Sequence, residues 1–388
     1  MFFNFYLILI GMEYLIALPS NNYEPFVTGA AGLKPGSLQI QYPNLDKNYT
    51  FDVGPLSRQK YTVLKTSLAS SGVESKAILI STSHDEVSVY VHYGYAAFSP
   101  IPVSALGTKY VLPSCGTYSG LFFATSHNDT IITVTFRLKK PMTHQEKTYY
   151  DGDILTVTLQ EYEVFTFPFR FDITGTTVKS SEPIAVFLGN FYNNYAISYD
   201  QVLPVNAHGQ EYVVAVDDST TTYQLQIISD YSDNEIVFNN GSIVNSQFYY
   251  RQLDANSTLY FNTTRPAMTT LCRVATYQSV FLTVPSISTY GSRDVSIYPP
   301  TGVAYTMKIL VDQSTDVNVM RYFDPEMLVS WTDIGNSSYK VGTCQVPALY
   351  STMLTSGGNF TFLAFDKNLA TNGGYEFQGS MDQGKRIM

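Results

Sequence analysis

Alternation of apolar and polar residues at every second position limits what this chain can fold into more than any other feature. In Thr130–Leu138, Ile132, Val134, Phe136 and Leu138 face one way, and Thr133, Thr135 and Arg137 the other. Val87, Val89, Val91 and Tyr93 oppose Ser88, Tyr90 and His92, and Leu155, Val157 and Leu159 oppose Thr156, Thr158 and Gln160. A period of two places successive side chains on opposite faces of a pleated strand, so each stretch reads as a strand with one wet face. No stretch of helical length carries a 3.6-residue period; a short helix is expected only near Pro325–Ser330. Composition points the same way. There are 31 tyrosines and one tryptophan, with only 14% charged residues, a balance that favours pleated, half-buried surfaces over helices.

The chain also repeats itself. Ile101-Pro-Val-Ser-Ala-Leu-Gly-Thr-Lys-Tyr-Val matches Leu203-Pro-Val-Asn-Ala-His-Gly-Gln-Glu-Tyr-Val at six of eleven positions, and a weaker copy begins Val284-Pro-Ser-Ile-Ser-Thr-Tyr-Gly. Each has Pro entering a turn and Gly (107, 209, 291) before a new strand. Pro fixes φ and Gly frees it, so the element is a shaped loop that delivers the chain into a strand. A second element recurs as apolar strand, Asp/Asn tip and alternating strand: Ile78–Ser81 with His84-Asp85, Leu121–Thr125 with Asn128-Asp129, Leu225–Ile228 with Asp233-Asn234, and Met307–Val311 with Asp316. These read as hairpins. The expected fold is all-β, built from repeated antiparallel β-sandwich-like modules, about three of them, with a β-propeller as the alternative. Module edges are expected near Leu45, Leu112–Gly116, Ala215–Thr222 and Pro299–Thr301.

An apolar run of about a dozen residues precedes Glu13, and Ala17, Pro19 and Ser20 follow. Residues 1–18 therefore read as a signal peptide, although the run lacks a positive start. The competing reading is a buried first strand. Asn-x-Ser/Thr occurs at Asn48, Asn128, Asn240, Asn256, Asn262, Asn336 and Asn359, which suits a glycosylated, secreted, extracellular protein. The three cysteines allow one internal bridge. Cys272–Cys344 is expected, since both lie in the last third, which leaves Cys115 over. A net charge of −9 disfavours nucleic acid, and no stretch provides a membrane anchor.

Catalytic signatures are missing. No P-loop, no dinucleotide fingerprint, no Gly-x-Ser-x-Gly and no paired-histidine metal motif occurs, and no cofactor is expected. His208 reads as a loop filler. Asp230, Asp233 and Glu235 are the metal candidates; they could hold calcium if the backbone curls around it, but Asp-rich turns are commonly just turns. Tyr192, Tyr195 and Tyr199, in a polar aromatic connection, are the candidates for a binding surface, because loop tyrosines give contact area at low entropic cost.

Phe171-Asp-Ile-Thr-Gly-Thr-Thr-Val-Lys-Ser-Ser-Glu-Pro-Ile-Ala-Val-Phe-Leu-Gly-Asn, followed by Asp200-Gln-Val-Leu-Pro-Val-Asn-Ala-His-Gly-Gln-Glu-Tyr-Val-Val, resembles the N-terminal domain of the IgG Fc-binding protein family of mucus-associated glycoproteins. The resemblance spans residues 26–379, with 380–388 as a tail. The large members carry von Willebrand type D modules, which this chain does not show. The matching residues read as core and turns, so the resemblance carries fold more than function. It implies an extracellular interaction module whose partner is a protein or a glycan in a mucus, coat or matrix layer, without catalysis. The alternative is a secreted carbohydrate-active hydrolase using a carboxylate pair. A cleft with two facing carboxylates separates the two.

Overall fold

The computed structural model describes residues 12–379, apart from 21–23, 32–33, 56, 84–86, 94–95, 116–118, 145, 170, 193–194, 218–221, 275–278, 291–294, 298–303, 322–326, 348–351, 357 and 367–375. The described residues form strands, nearly all antiparallel, broken by short 3-10 turns, with no α-helix among them. The helix expected near Pro325–Ser330 is absent where described. Met327–Val329 is irregular, and Ser330 opens the strand Ser330–Asp333, which pairs with Tyr339–Val346.

Residues 107–201 show the building plan. Its spine is the 16-residue strand Thr177–Tyr192. The first part of the spine pairs with Gly107–Val111 on one side and Thr130–Thr135 on the other. The second part pairs with Ser119–Thr125 and Tyr195–Gln201. Ile154–Leu159 extends the first layer and Val164–Phe169 the second. The change of partners falls at Glu182-Pro183, where proline removes a ladder donor. The first layer keeps an exposed outer face, with Ile131 at 49% exposure, whereas Ile184–Leu188 of the second layer is buried on both faces. One continuous core joins the layers.

The same plan recurs three more times. In residues 209–284 the spine is Thr258–Val274, flanked first by Gly209–Ala215 and Glu235–Phe238 and then by Tyr223–Ser229 and Ser279–Val284. The change of partners falls at Pro266. In residues 12–98 the spine is divided into Ile78–Thr82 and Val87–Tyr93, and in 295–379 into Thr352–Ser356 and Phe360–Asp366. The sandwich reading holds, with four modules in place of about three.

Several sequence expectations change. Ser119–Thr125 and Thr130–Thr135 do not pair with each other; both pair with the spine. The Asn128-Asp129 turn, with Asp129 at φ 53°, carries the chain from one layer to the other. The corresponding elements of modules three and four do the same, and the His84-Asp85 tip, outside the described residues, separates the two halves of a divided spine. Turn residues fix where a chain changes direction, not whether its flanks pair. Leu45 sits inside the hairpin Gly36–Tyr42/Lys47–Val53, and 112–116 and 215–222 fall inside modules two and three. Pro299–Thr301 lies outside the described residues. The second face of Val87–Tyr93 is not wet: Tyr90 and His92 are both buried, Tyr90 in the core of module four and His92 stacked on Phe26.

The joints between modules are the Pro–Gly loops. Each contains a 3-10 turn: Val103–Ala105, Val205–Ala207 and Ile287–Thr289. The Gly107 amide donates to the Tyr110 hydroxyl at 3.1 Å, and that hydroxyl donates to the Ile184 carbonyl. The Gly209 amide, Tyr212 hydroxyl and Ala267 carbonyl repeat the arrangement. Ile184 and Ala267 are the residues just after the two spine prolines. A buried tyrosine therefore ties each of these two joints to its spine's change of partners. A Cβ on Gly107 would sit 2.6 Å from the Cβ of Pro204, and one on Gly209 would overlap Ser286. Each joint packs directly on the next, which only glycine permits.

Residues 13–18 belong to this scheme. Glu13–Ile16 pairs with Ile78–Thr82, and Tyr14 through Leu18 are buried. Tyr14 stands opposite Ile80 as Tyr212 stands opposite Phe261. Glu13-Tyr-Leu-Ile-Ala-Leu18 also parallels Glu211-Tyr-Val-Val-Ala-Val216. The structure gives 13–18 the form of the competing reading, a buried first strand that opens module one. A fully buried strand is apolar on both faces, the same pattern that a leader core shows.

The closing strands bring the modules together. Tyr195–Gln201 lies against Ala96–Phe98 and Ser279–Val284, and Ser279–Val284 lies against Glu376–Gly379. Glu376–Gly379 pairs in parallel with Ala96–Phe98. Modules one to four thus close into a ring. If Ile16 is core, Ile16→Ala lowers unfolding free energy by about 2–5 kcal/mol in denaturant melts; a residue of a removed leader would change nothing.

Candidate functional site

The expected tyrosine surface divides. Tyr199 is 1% exposed, stacks on Phe187 with centroids 5.6 Å apart, and contacts Tyr93, Phe98 and Phe122. Its hydroxyl donates to the Ala17 carbonyl at 2.5 Å. It anchors modules one and two and is not a contact residue for a partner. On a closing strand both faces are covered, which alternation along one strand does not reveal. Tyr192 and Tyr195 pair across the hairpin between spine and closing strand; their side chains lie outside the described residues.

Asp200, next to Tyr199, is 4% exposed at the junction of modules two and three. It accepts from the Gln201 amide at 2.8 Å, the Thr283 hydroxyl at 3.0 Å and the Thr283 amide at 3.3 Å. Burial outweighs these bonds and pushes its carboxyl up to about 7. Its position on the ring axis was not legible from the sequence. Burial also pushes His92 down to about 3 and His208 down to about 4. His208 fills the same joint position as buried Leu106 and Tyr290.

The acidic cluster does not converge. Asp233 forms a two-oxygen pair with Arg265, at 3.2 and 3.1 Å to Nε, and Asp230 pairs with Lys109 of module two. Glu235 is exposed at the start of its strand. No group of three metal-ligating side chains occurs among the described residues. The calcium reading of Asp230, Asp233 and Glu235 is therefore corrected: cations of neighbouring segments take up two of the three carboxylates.

The expected Cys272–Cys344 bridge is also corrected. Cys115 bonds Cys272 with a Cα–Cα distance of 5.8 Å, across 157 residues of sequence, and Cys344 is buried in the core of module four. Proximity in sequence misled because the ring places the loop after Gly107–Val111 beside the next module's spine. All seven sequon asparagines, Asn48, Asn128, Asn240, Asn256, Asn262, Asn336 and Asn359, are exposed.

One open cleft lies beside the junction of modules two and three, lined by Arg137, Leu138, Lys139, Asp151, Asp172 and Thr174. Arg137 lies 4.1 Å over the ring of Phe248, from module three, and donates to the Thr174 carbonyl at 2.9 Å. Gly175, at φ +89°, makes room: a Cβ there would meet Arg137 Cδ at 2.7 Å and Phe248 at 2.8 Å. Asp151 accepts from the Leu138 amide at 2.9 Å. Asp172 accepts from Lys139 at 2.8 Å and from the Thr174 amide and hydroxyl at 2.9 and 2.6 Å. Burial alone would raise the Asp172 carboxyl, but Lys139 and Thr174 outweigh it and hold it below its ordinary value. The chemistry on offer is a balanced set of donors and acceptors. Sequence reasoning did not assemble it, because four chain segments contribute.

Comparisons with known proteins place these features in context. The sequence model described as IgGFc binding protein matches residues 96–365. The human IgGFc-binding protein is 28% identical over 212 residues, covering 49% of this chain and 4% of that protein. The chain thus spans a small fraction of the curated relative it matches. No solved structure matches.

The Asp200 carboxyl gives a signed pH dependence. Its folded-state value is raised, so between about 4 and 7 the folded form holds a proton that the unfolded form has released. Stability from this group therefore falls as pH rises through that window. His92 and His208, both lowered, act in the opposite sense, losing stability as pH falls from about 6.5 toward 3. Asp200→Asn removes only the first effect. Melting curves at pH 4 to 7.5 are expected to show the variant gaining more stability with rising pH than the wild type, by about 1.4 kcal/mol per pH unit at most. Parallel curves would contradict the buried-acid reading.

Proposed function

Given that the chain belongs to the IgGFc binding protein family, we propose that it is a secreted, N-glycosylated interaction module of an extracellular layer such as mucus, coat or matrix, working by binding a protein or glycan and not by turnover. The observation that carries this reading is the surface pattern. Seven sequons sit at exposed positions of a ring that is stapled across modules by a disulfide, the kind of bond that persists in oxidising compartments.

The cleft supports binding over hydrolysis. A glycosidase needs one carboxyl kept protonated near neutral pH beside an ionised partner. Asp172 is held low and both cleft carboxylates are engaged in structural hydrogen bonds. Asp200, the raised carboxyl, is buried at the ring axis. The human relative's name reports binding to IgG Fc, but the residues matching that family's signature here form spine, bend and joint. Fc recognition is not assigned to this chain.

Expression in a secreting eukaryotic cell tests the reading. The protein is expected in the medium, to lose mass stepwise with N-glycosidase treatment, and to be recovered crosslinked to extracellular neighbours. Retention inside the cell with unmodified sequons would overturn it.

A further inference from the structure

We propose that the cleft between Arg137 and Asp172 is a carbohydrate-binding site taking a neutral pyranose unit of an extracellular glycan. The inference rests on the interaction-module reading above and deepens it by naming a site and a ligand class.

Two independent observations point there. The first is the lining. Arg137 and Lys139 supply donors, and Asp151 and Asp172 supply acceptors. A sugar hydroxyl donates and accepts at once, so it is best held where both kinds of group are fixed side by side. The internal bonds leave capacity for a ligand. Asp151 uses Oδ1 for the Leu138 amide, and among the described residues no hydrogen bond is donated to its Oδ2. Lys139 spends one ammonium proton on Asp172. The two positive and two negative charges balance, so neither an acidic sugar nor a cation is favoured.

The second observation is the rim. Among the described residues, five aromatic side chains are exposed; Tyr250, at 37%, acts electrostatically on Lys139 of the cleft, and Tyr150 at 57% and Phe171 at 39% are chain neighbours of lining residues. Tyr150 and Phe171 immediately precede the lining residues Asp151 and Asp172. Tyr250 shares a strand face with Phe248, which packs on Arg137, and its phenol lies close enough to act electrostatically on Lys139. The apolar face of a pyranose stacks on such rings while its hydroxyls reach the polar floor. Large apolar groups left exposed around a polar cleft mark a ligand site more often than isolated ones do. The floor is pre-formed: Gly175, Arg137 and Phe248 lock one another, and Thr174 orients Asp172. A peptide would instead want an apolar pocket for a side chain or an open strand edge, and the cleft offers neither.

The test applies the full-length secreted protein, coupled to fluorescent beads, to an array of neutral oligosaccharides ending in galactose, N-acetylgalactosamine, fucose, N-acetylglucosamine or mannose. At least one terminal sugar is expected to retain the beads, with free monosaccharide competing at millimolar concentration. The double variant Tyr150→Ala/Tyr250→Ala and the single variant Lys139→Met are expected to lose at least tenfold in retention while the melting temperature stays within a few degrees. Array binding unaffected by either variant, retention only on sialylated control spots, or no retention at all overturns the assignment. If crosslinked extracellular partners are still recovered in those cases, and equally with the variants, the interaction-module reading stands and the cleft assignment alone falls. Retention of a peptide in place of sugar likewise overturns it.

Discussion

The entry of modules two and three depends on a buried hydroxyl that spans a joint. Tyr110 and Tyr212 each receive the amide proton of the glycine three residues earlier and pass their own proton to the carbonyl just beyond the spine proline. The carbonyl belongs to a strand interrupted by proline, where a ladder partner is hard to supply. The glycine amide opens a strand just where its register against the spine shifts, between Gly107 and Lys109 and between Gly209 and Glu211. Leaving either buried group unpaired costs about 1–3 kcal/mol, and one side chain satisfies both. The arrangement fixes the angle at which each module enters and the place where its spine changes partners.

Because the joints stack, the modules are not independent beads. Gly107 lies against Pro204, and Gly209 against Ser286. The closing strands then meet at the axis, where Tyr199 joins modules one and two and Asp200 joins two and three. Tyr223 on Phe365 and Tyr260 on Tyr339 link modules three and four. The Cys115–Cys272 bond adds a covalent tie at the same junction as Asp200 and the Arg137–Phe248 contact. That junction is therefore reinforced by a covalent bond as well as by packing, and a rigid junction is a sound place for a pre-formed binding cleft.

How much of this could be read in advance follows from the range of the interactions. Period-two alternation is local, and the strands it marks are present as Thr130–Thr135 and Ile154–Leu159, with Ile132, Val134 and Leu159 buried and Leu155 and Val157 packed against the core. The Pro–Gly repeat is local too, and it marks true joints. Partner choice is not local. The residues around Asn128-Asp129 read as a hairpin and are a passage between layers, because turn chemistry says nothing about which strand lies alongside. The same limit explains the cysteines, the dispersed acidic cluster and Tyr199. For the first strand, a usable signal existed: Glu13-Tyr-Leu-Ile-Ala-Leu18 copies Glu211-Tyr-Val-Val-Ala-Val216. An apolar N-terminus invites comparison with leaders before comparison with the rest of the chain.

The central claim is that residues from Glu13 onward form one ring of four like modules, with Cys115 beside Cys272. Peptide mapping of the intact secreted protein by mass spectrometry, without reduction, addresses both halves of it. The account predicts a Cys115–Cys272 linked peptide pair and an N-terminal peptide that retains Glu13–Leu18. A chain beginning at or after Pro19, or a Cys272–Cys344 linked pair, would contradict it.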